Sequence, residues 1–215
     1  MMTDLFTQQL EGRREALGRH SWVLHGFALR HADGLLQAID AIVSAAPWRH
    51  MTTPGGYTMS VESCNCGALG WVTDRRGYRY ASEDPLSGRP WPPMPELFEA
   101  LALDAAREAG FAAFIPDACL LNRYAPGARM SLHQDKNERD MSQPIVSVSL
   151  GMSAVFQFGG MTRDAPVSKV LLEHGDVVVW GGEDRLRFHG IMPLKGQPHE
   201  RLGNFRVNLT MRKAG

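Results

Sequence analysis

The residues with the clearest chemical potential are His133 and Asp135, in the stretch SLHQDK at 131–136. Read as a strand, two positions of separation put an imidazole and a carboxylate on one face, where both can reach a single point. A second imidazole would complete a three-donor metal site, and His189, well downstream in FHG at 188–190, is the candidate. Two histidines and a carboxylate on one side of a ferrous ion leave the opposite positions open to small ligands and oxygen, the donor set of non-haem Fe(II) oxygenases. H-x-D alone is equally compatible with solvated polar residues near a turn. A rival pair, His174 and Asp176, flanks Gly175 and precedes Val177-Val178-Val179-Trp180, which reads as a turn feeding a buried strand.

The C-terminal stretch adds a second constraint. From Asn204 to Arg212 apolar and polar residues alternate: Phe205, Val207, Leu209 and Met211 on one face, Arg206, Asn208, Thr210 and Arg212 on the other. An edge strand would leave the polar face in water. If that face instead lines a barrel, two guanidiniums need anionic partners, because an unpaired buried charge is costly. A dicarboxylate meets that need, one end held by an arginine and the other, beside a keto group, chelating the metal. 2-Oxoglutarate has this structure.

With these residues in place the sequence resembles the AlkB family of Fe(II)- and 2-oxoglutarate-dependent dioxygenases, most closely its bacterial members. The resemblance runs from about Met51 to the C-terminus, through TPGGYTMS at 53–60, PDACL at 116–120, NRYAPG at 122–127, SLHQDK at 131–136, PIVSVSLG at 144–151, FQFGG at 156–160, LEHGDVVVWGG at 172–182 and the Arg206, Asn208, Arg212 series. It implies a mainly β fold with flanking helices (α+β), a double-stranded β-helix or jelly roll, with Fe(II) held by His133, Asp135 and His189. 2-Oxoglutarate and O2 would be co-substrates, with Asn122, Tyr124, Arg206, Asn208, Thr210 and Arg212 as 2-oxoglutarate contacts. Of these, Arg206 is expected at the distal carboxylate and Arg212 nearer the iron; Ser147, Thr210 and Trp180 are expected to line the pocket.

The implied reaction is oxidative removal of N-alkyl groups, as in 1-methyladenine and 3-methylcytosine, from single- or double-stranded DNA or from RNA. Formaldehyde is released while 2-oxoglutarate becomes succinate. Trp71, Tyr78, Arg79, Tyr80, Asn137 and Arg163 match substrate contacts. Asn137 stands where close relatives carry an acid, and Ser63 where one has a base-pocket methionine; both bear on lesion preference. A hydroxylase of another substrate and a non-catalytic sensor of alkylated bases are the competing readings.

The surrounding elements must position these groups. The 215 residues, 44% hydrophobic, suffice for one good core. We read one catalytic domain over 1–215, with an N-terminal extension at 1–50, a nucleotide-recognition lid at 51–91 and a jelly-roll core at 115–215. The formal net charge is zero, so nucleic-acid contact must use local patches. Three cysteines and a start without a basic, apolar leader point to a reducing, cytoplasmic setting. No window has the length of a membrane span, and a monomer is expected. Cys64 and Cys66 read as half-buried strand thiols. Residues to about Arg19 read as a loose or partly helical arm. Apolar spacing predicts a helix from Ala32 to Ala46, with Asp33 as its cap, and another from Glu96 to Ala109 ended by Gly110. Between them, Gly- and Pro-punctuated strands carry Trp71, Tyr78 and Tyr80 beside Arg75, Arg76 and Arg79, an arrangement suited to unstacked bases and phosphates or to a minor aromatic core.

Overall fold

A computed structural model describes residues 12–215; the part of the expected N-terminal arm before residue 12 lies outside the described residues. The chain runs β1 (Arg14–Gly18), β2 (Ser21–Leu24), α1 (Ala32–Ala45), β3 (Arg49–Thr52), β4 (Thr58–Gly67), β5 (Gly70–Asp74), β6 (Gly77–Ala81), α2 (Glu96–Glu108), β7 (Ala118–Tyr124), β8 (Met130–His133), β9 (Ile145–Gly151), β10 (Ala154–Phe158), β11 (Ser168–Leu172), β12 (Val177–Trp180), β13 (His189–Ile191) and β14 (Arg206–Arg212). Eight strands form an antiparallel sheet in the order β1-β2-β12-β9-β14-β7-β4-β3, four form a second in the order β11-β10-β13-β8, and β5 and β6 make a separate hairpin. This is the expected mainly β jelly roll with flanking helices.

Alternation along the central strands explains the layering. Val146, Val148 and Leu150 of β9, Val177 and Val179 of β12, and Val207, Leu209 and Met211 of β14 share one core with Leu35, Ile39 and Ile42 of α1 and Phe98, Leu101 and Ala105 of α2. The residues between them, including Val178 and Trp180, join Phe156, Phe158 and Ile191 of the smaller sheet in a second core. Every residue of β14 is buried, so it is not an edge strand: both faces are covered, one by helices and one by the opposing sheet.

Several local expectations need correction. Arg14–Gly18 is a strand rather than part of a loose arm; pairing with β2 and the Arg14 guanidinium lying 3.6 Å from the Trp22 ring centroid supply what its polar sequence lacks. Asp33 does not cap α1. His31 occupies the cap position without a side-chain bond, and the Asp33 carboxylate pairs with Arg201. Cys64 and Cys66 are fully buried, and burial pushes the Cys64 thiol up to about 12. Within 51–91, β4 pairs with β7 in the large sheet, so only β5–β6 stands apart as a hairpin.

The turn before β12 carries a titratable contact. His174 stacks on His199, ring centroids 4.3 Å apart, and its Nδ1 accepts the Gly151 N–H at 2.9 Å. Burial, aided by positive charge on His199 and Arg201, lowers the His174 pKa to about 4. The folded state therefore resists a proton that the unfolded chain takes up near 6.5, and stability present above that pH is lost as pH falls towards 4. Urea unfolding should show His174→Phe less stable than the parent above pH 7, with the gap narrowing between pH 6.5 and 4 because only the parent loses this contribution.

Candidate metal centre and co-substrate pocket

β13 lies beside β8 with His189 directly opposite His133, which sets the two imidazole centroids 4.4 Å apart. Asp135 is not on the strand with His133, because β8 ends at His133. Its carboxylate nevertheless comes within 3.7 Å of both histidine Nε2 atoms, one on each oxygen. One donor atom from each of the three residues lies within 4.8 Å of the others. His133 Nδ1 sits 2.8 Å from the Ser131 carbonyl and His189 Nδ1 3.1 Å from the Arg187 carbonyl. A carbonyl oxygen only accepts, so each Nδ1 carries a hydrogen, and in the neutral ring that tautomer leaves the lone pair on Nε2.

The electrostatics suit a divalent cation. Burial, reinforced by His133, lowers the His189 pKa to about 4 and keeps the ring neutral. Burial opposes charge on Asp135, but the Arg212 guanidinium outweighs it and holds the carboxyl well below the usual range. Arg212 donates to Asp135 Oδ2 from Nη2 at 2.6 Å and from Nε at 3.1 Å. Two neutral nitrogens and one carboxylate, each fixed from behind, fit Fe(II).

These residues open into a cavity also lined by Asn122, Tyr124, Ser147, Trp180, Arg206, Asn208, Thr210 and Arg212. The decisive feature is Arg206. It is 1% exposed, donates to Ser149 Oγ from Nη2 at 2.8 Å, and leaves Nε and Nη1 without a partner among the described residues. Buried guanidinium donors facing no acceptor are an anion site by elementary energetics. Trp180 Nε1 is likewise unpartnered. Asn122 accepts from Ser63 Oγ through Oδ1 at 2.9 Å, so its amide nitrogen is the end left to donate. Asn208, by contrast, donates to Ser147 Oγ at 2.7 Å and to the Val148 carbonyl at 3.0 Å, and accepts from Thr210 Oγ1 at 2.8 Å. Asn208 and Thr210 are thus occupied with each other and with the wall.

Above the cavity stands the β5–β6 hairpin. Trp71 lines the cavity and stacks with half-exposed Tyr78 at 5.7 Å and 20°; its Nε1 donates to Asn137 Oδ1 at 3.4 Å. Arg79, on the other face of the hairpin, forks onto Asp74 at 2.8 and 3.0 Å. Tyr80 donates its hydroxyl to Glu138 at 2.6 Å. Arg163 is exposed beside His133, bonded to the Leu132 carbonyl at 2.7 Å with its guanidinium over Phe188.

The model of the 2OG-Fe(II) oxygenase superfamily matches residues 21–212. The chain is 57% identical over 213 residues to the alpha-ketoglutarate-dependent dioxygenase AlkB of Salmonella typhimurium, covering 99% of this chain and 98% of the relative. It is 54% identical over 214 residues to the protein of the same name from Escherichia coli, covering 100% and 99%. The chain belongs to the AlkB family. Among solved structures, OsALKBH1 superposes with a TM-score of 0.78 at 28% identity, over 94% of this chain and 100% of that one. The chain is accordingly an Fe(II)- and 2-oxoglutarate-dependent dioxygenase using O2.

Within this AlkB-family frame most of the expected residues converge. His133, Asp135, His189, Asn122, Tyr124, Arg206, Asn208, Thr210, Arg212 and Trp71 share one cavity, as do Ser147 and Trp180. Tyr78 and Asn137 contact Trp71 at its mouth. Arg79 and Tyr80 are engaged within the protein instead, because period-two alternation turns Arg79 away and Tyr80 finds a buried carboxylate. Ser63 does not line the cavity; it is fully buried and bonds Asn122, while Met59 from the same strand does line it. The sequence reading missed Ser149, which shares a face with Ser147 and could have been found by alternation. It also missed Arg185 and the buried role of Glu138, which no local pattern signals.

Binding of a metal only to the folded chain stabilises it by mass action. Anaerobic addition of Fe(II) or Co(II) to apoprotein should raise the melting temperature with one metal per chain, and His133→Ala should abolish the shift.

Proposed function

We propose that this enzyme repairs DNA or RNA bases carrying N-linked methyl groups, 1-methyladenine and 3-methylcytosine being the test substrates. The observation that carries the reading is the Arg206 guanidinium, whose Nε and Nη1 lack partners among the described residues, sharing one cavity with the three metal donors beneath a stacked Trp71–Tyr78 pair. A dicarboxylate keto acid fits between Arg206 and the metal, and a flat base fits against the aromatic pair.

In this reading His133, Asp135 and His189 hold Fe(II), and Arg212 balances the Asp135 charge from behind. Arg206 takes the far carboxylate of 2-oxoglutarate, helped by donors on Tyr124 and Asn122, while Asn208 and Thr210 hold the wall in register. Bound Fe(II), with 2-oxoglutarate and O2, supplies oxidation of the N-methyl carbon, which leaves as formaldehyde while the keto acid becomes succinate and carbon dioxide. The target base must leave its stack to reach the site, and a base whose pairing edge is methylated is cheaper to extrude. Trp71 and Tyr78 offer it a replacement stack, worth roughly 1–3 kcal/mol per base. Asn137 offers a neutral hydrogen-bonding group to its edge, and Arg163 a cation to a phosphate. With zero formal net charge, such local contacts carry the binding. We also read the chain as one catalytic unit acting as a monomer in the reducing cytoplasm, in keeping with three free, buried cysteines.

Two experiments test this. Given Fe(II), 2-oxoglutarate, O2 and single-stranded or duplex oligonucleotides bearing either lesion, the enzyme should yield repaired base, formaldehyde and succinate in equal amounts, with none from His133→Ala. Succinate without repaired base would move the substrate outside nucleic acid. Separately, Arg206→Met should leave the apoprotein as stable as the parent or more so, since it removes an unpaired buried charge. The same change should weaken 2-oxoglutarate binding by about 100-fold, the loss of a charge-assisted contact worth roughly 3 kcal/mol.

A further inference from the structure

We propose that Glu138 and Arg185 form a buried brace that positions the metal aspartate, and that Tyr80 makes the β5–β6 hairpin a third member of it. The inference rests on the reading of His133, Asp135 and His189 as the metal ligands and assigns a role to groups that contact neither metal nor substrate in that reading.

Asp135 needs such support. It lies beyond the end of β8, so no strand ladder holds its backbone. Arg185, 3% exposed, comes from the loop that leads into β13 and donates to the Asp135 carbonyl from Nη1 at 2.7 Å and to the Gln143 carbonyl from Nε at 2.9 Å. Its Nη2 donates to Glu138 at 3.0 Å. Gln134 makes a second tie to the same loop, through the Leu186 carbonyl. Four residues after Arg185 the loop delivers His189, so the arm that carries one ligand also grips the backbone of another.

Glu138 closes the circuit. Its side chain is 2% exposed. One oxygen faces Arg185; the other accepts the Tyr80 hydroxyl at 2.6 Å and lies 3.5 Å from Arg212 Nε. Arg212 in turn holds the Asp135 carboxylate. Asp135, Arg212, Glu138 and Arg185 therefore form a ring in which three links are charge pairs and the fourth is the Arg185 hydrogen bond to the Asp135 main-chain carbonyl. A buried ring of this kind is tolerable because each charge is paired and hydrogen-bonded, and loss of one member leaves its neighbours uncompensated. Both attachments of the metal aspartate pass through guanidiniums that Glu138 touches. Tyr80 reaches that carboxylate from the hairpin that bears Trp71 and Tyr78, so seating of the hairpin and placement of Asp135 draw on one acceptor.

The test is anaerobic titration of apoprotein with Co(II), followed by the visible absorption of the bound ion, for the parent, Glu138→Gln and Tyr80→Phe, with melting curves in parallel. Groups that orient metal ligands typically change affinity by about 10- to 100-fold. Glu138→Gln should fall in that range, and Tyr80→Phe should weaken binding measurably while the apoprotein melts within a few degrees of the parent. The Fe(II) concentration giving half-maximal turnover should rise in both, with kcat recovered at saturating Fe(II). A purely structural brace would lower the melting temperature and the active fraction without moving metal affinity, and parent-like Co(II) affinity in either folded variant would overturn its part of the proposal. Should Glu138→Gln not fold, Tyr80→Phe decides alone. Failure of the parent itself to bind Co(II) would instead overturn the underlying assignment of the ligands.

Discussion

Two guanidiniums buried on one face of one strand are the constraint from which the site follows. β14 is covered on both sides, so Arg206 and Arg212 cannot reach water, and arginine stays charged there. Each must find negative charge inside the protein or beside it. Arg212 finds Asp135. Among the described residues Arg206 has only a serine hydroxyl and the Tyr124 side chain beside it, and the deficit defines where an anion belongs. The six-residue separation along an extended strand, at roughly 3.3 Å per residue, sets the two Cα atoms about 20 Å apart, and the long side chains bring both guanidiniums back to the wall of one cavity. One end is satisfied by the metal aspartate and the other is open to a ligand.

The smaller sheet does a different job. It brings His133 and His189 together through direct cross-strand pairing, and both rings are oriented by backbone carbonyls two residues earlier in the chain. Their tautomers are thus set by main chain rather than by titratable neighbours. The carboxylate ligand, lacking a strand of its own, is instead fixed by side chains. This division explains why the metal site mixes a rigid, ladder-held pair with a braced third member.

Much of this was legible in residue order. The H-x-D spacing, the later histidine and the alternation from Phe205 to Arg212 predicted a shared site, and the apolar spacing of α1 and α2 predicted their core faces. What failed did so for physical reasons. Arg14–Gly18 has a polar, unremarkable sequence and becomes a strand because β2 offers it an edge. Asp33 looks like a cap, but its carboxylate meets Arg201 from the far end of the chain. Tyr80 matches a substrate contact by resemblance, and that its hydroxyl bonds a carboxylate 58 positions away was not visible in the sequence. Ser63 resembles a pocket residue in sequence, and the pairing of β4 with β7 places it behind Asn122.

The sequence by itself determined the donor types and the two faces of β14, because these depend on residue identity and on the periods of helix and strand. Only the tertiary structure decided which charges are paired. It assigned Arg212 to Asp135, left Arg206 open, occupied Asn208 and Thr210 with each other, and drew Glu138 inward to Arg185 and Tyr80. Those outcomes depend on distances between segments far apart in the chain. Hydrogen bonds and ion pairs form only within a few ångströms, and no local period encodes which distant groups come that close.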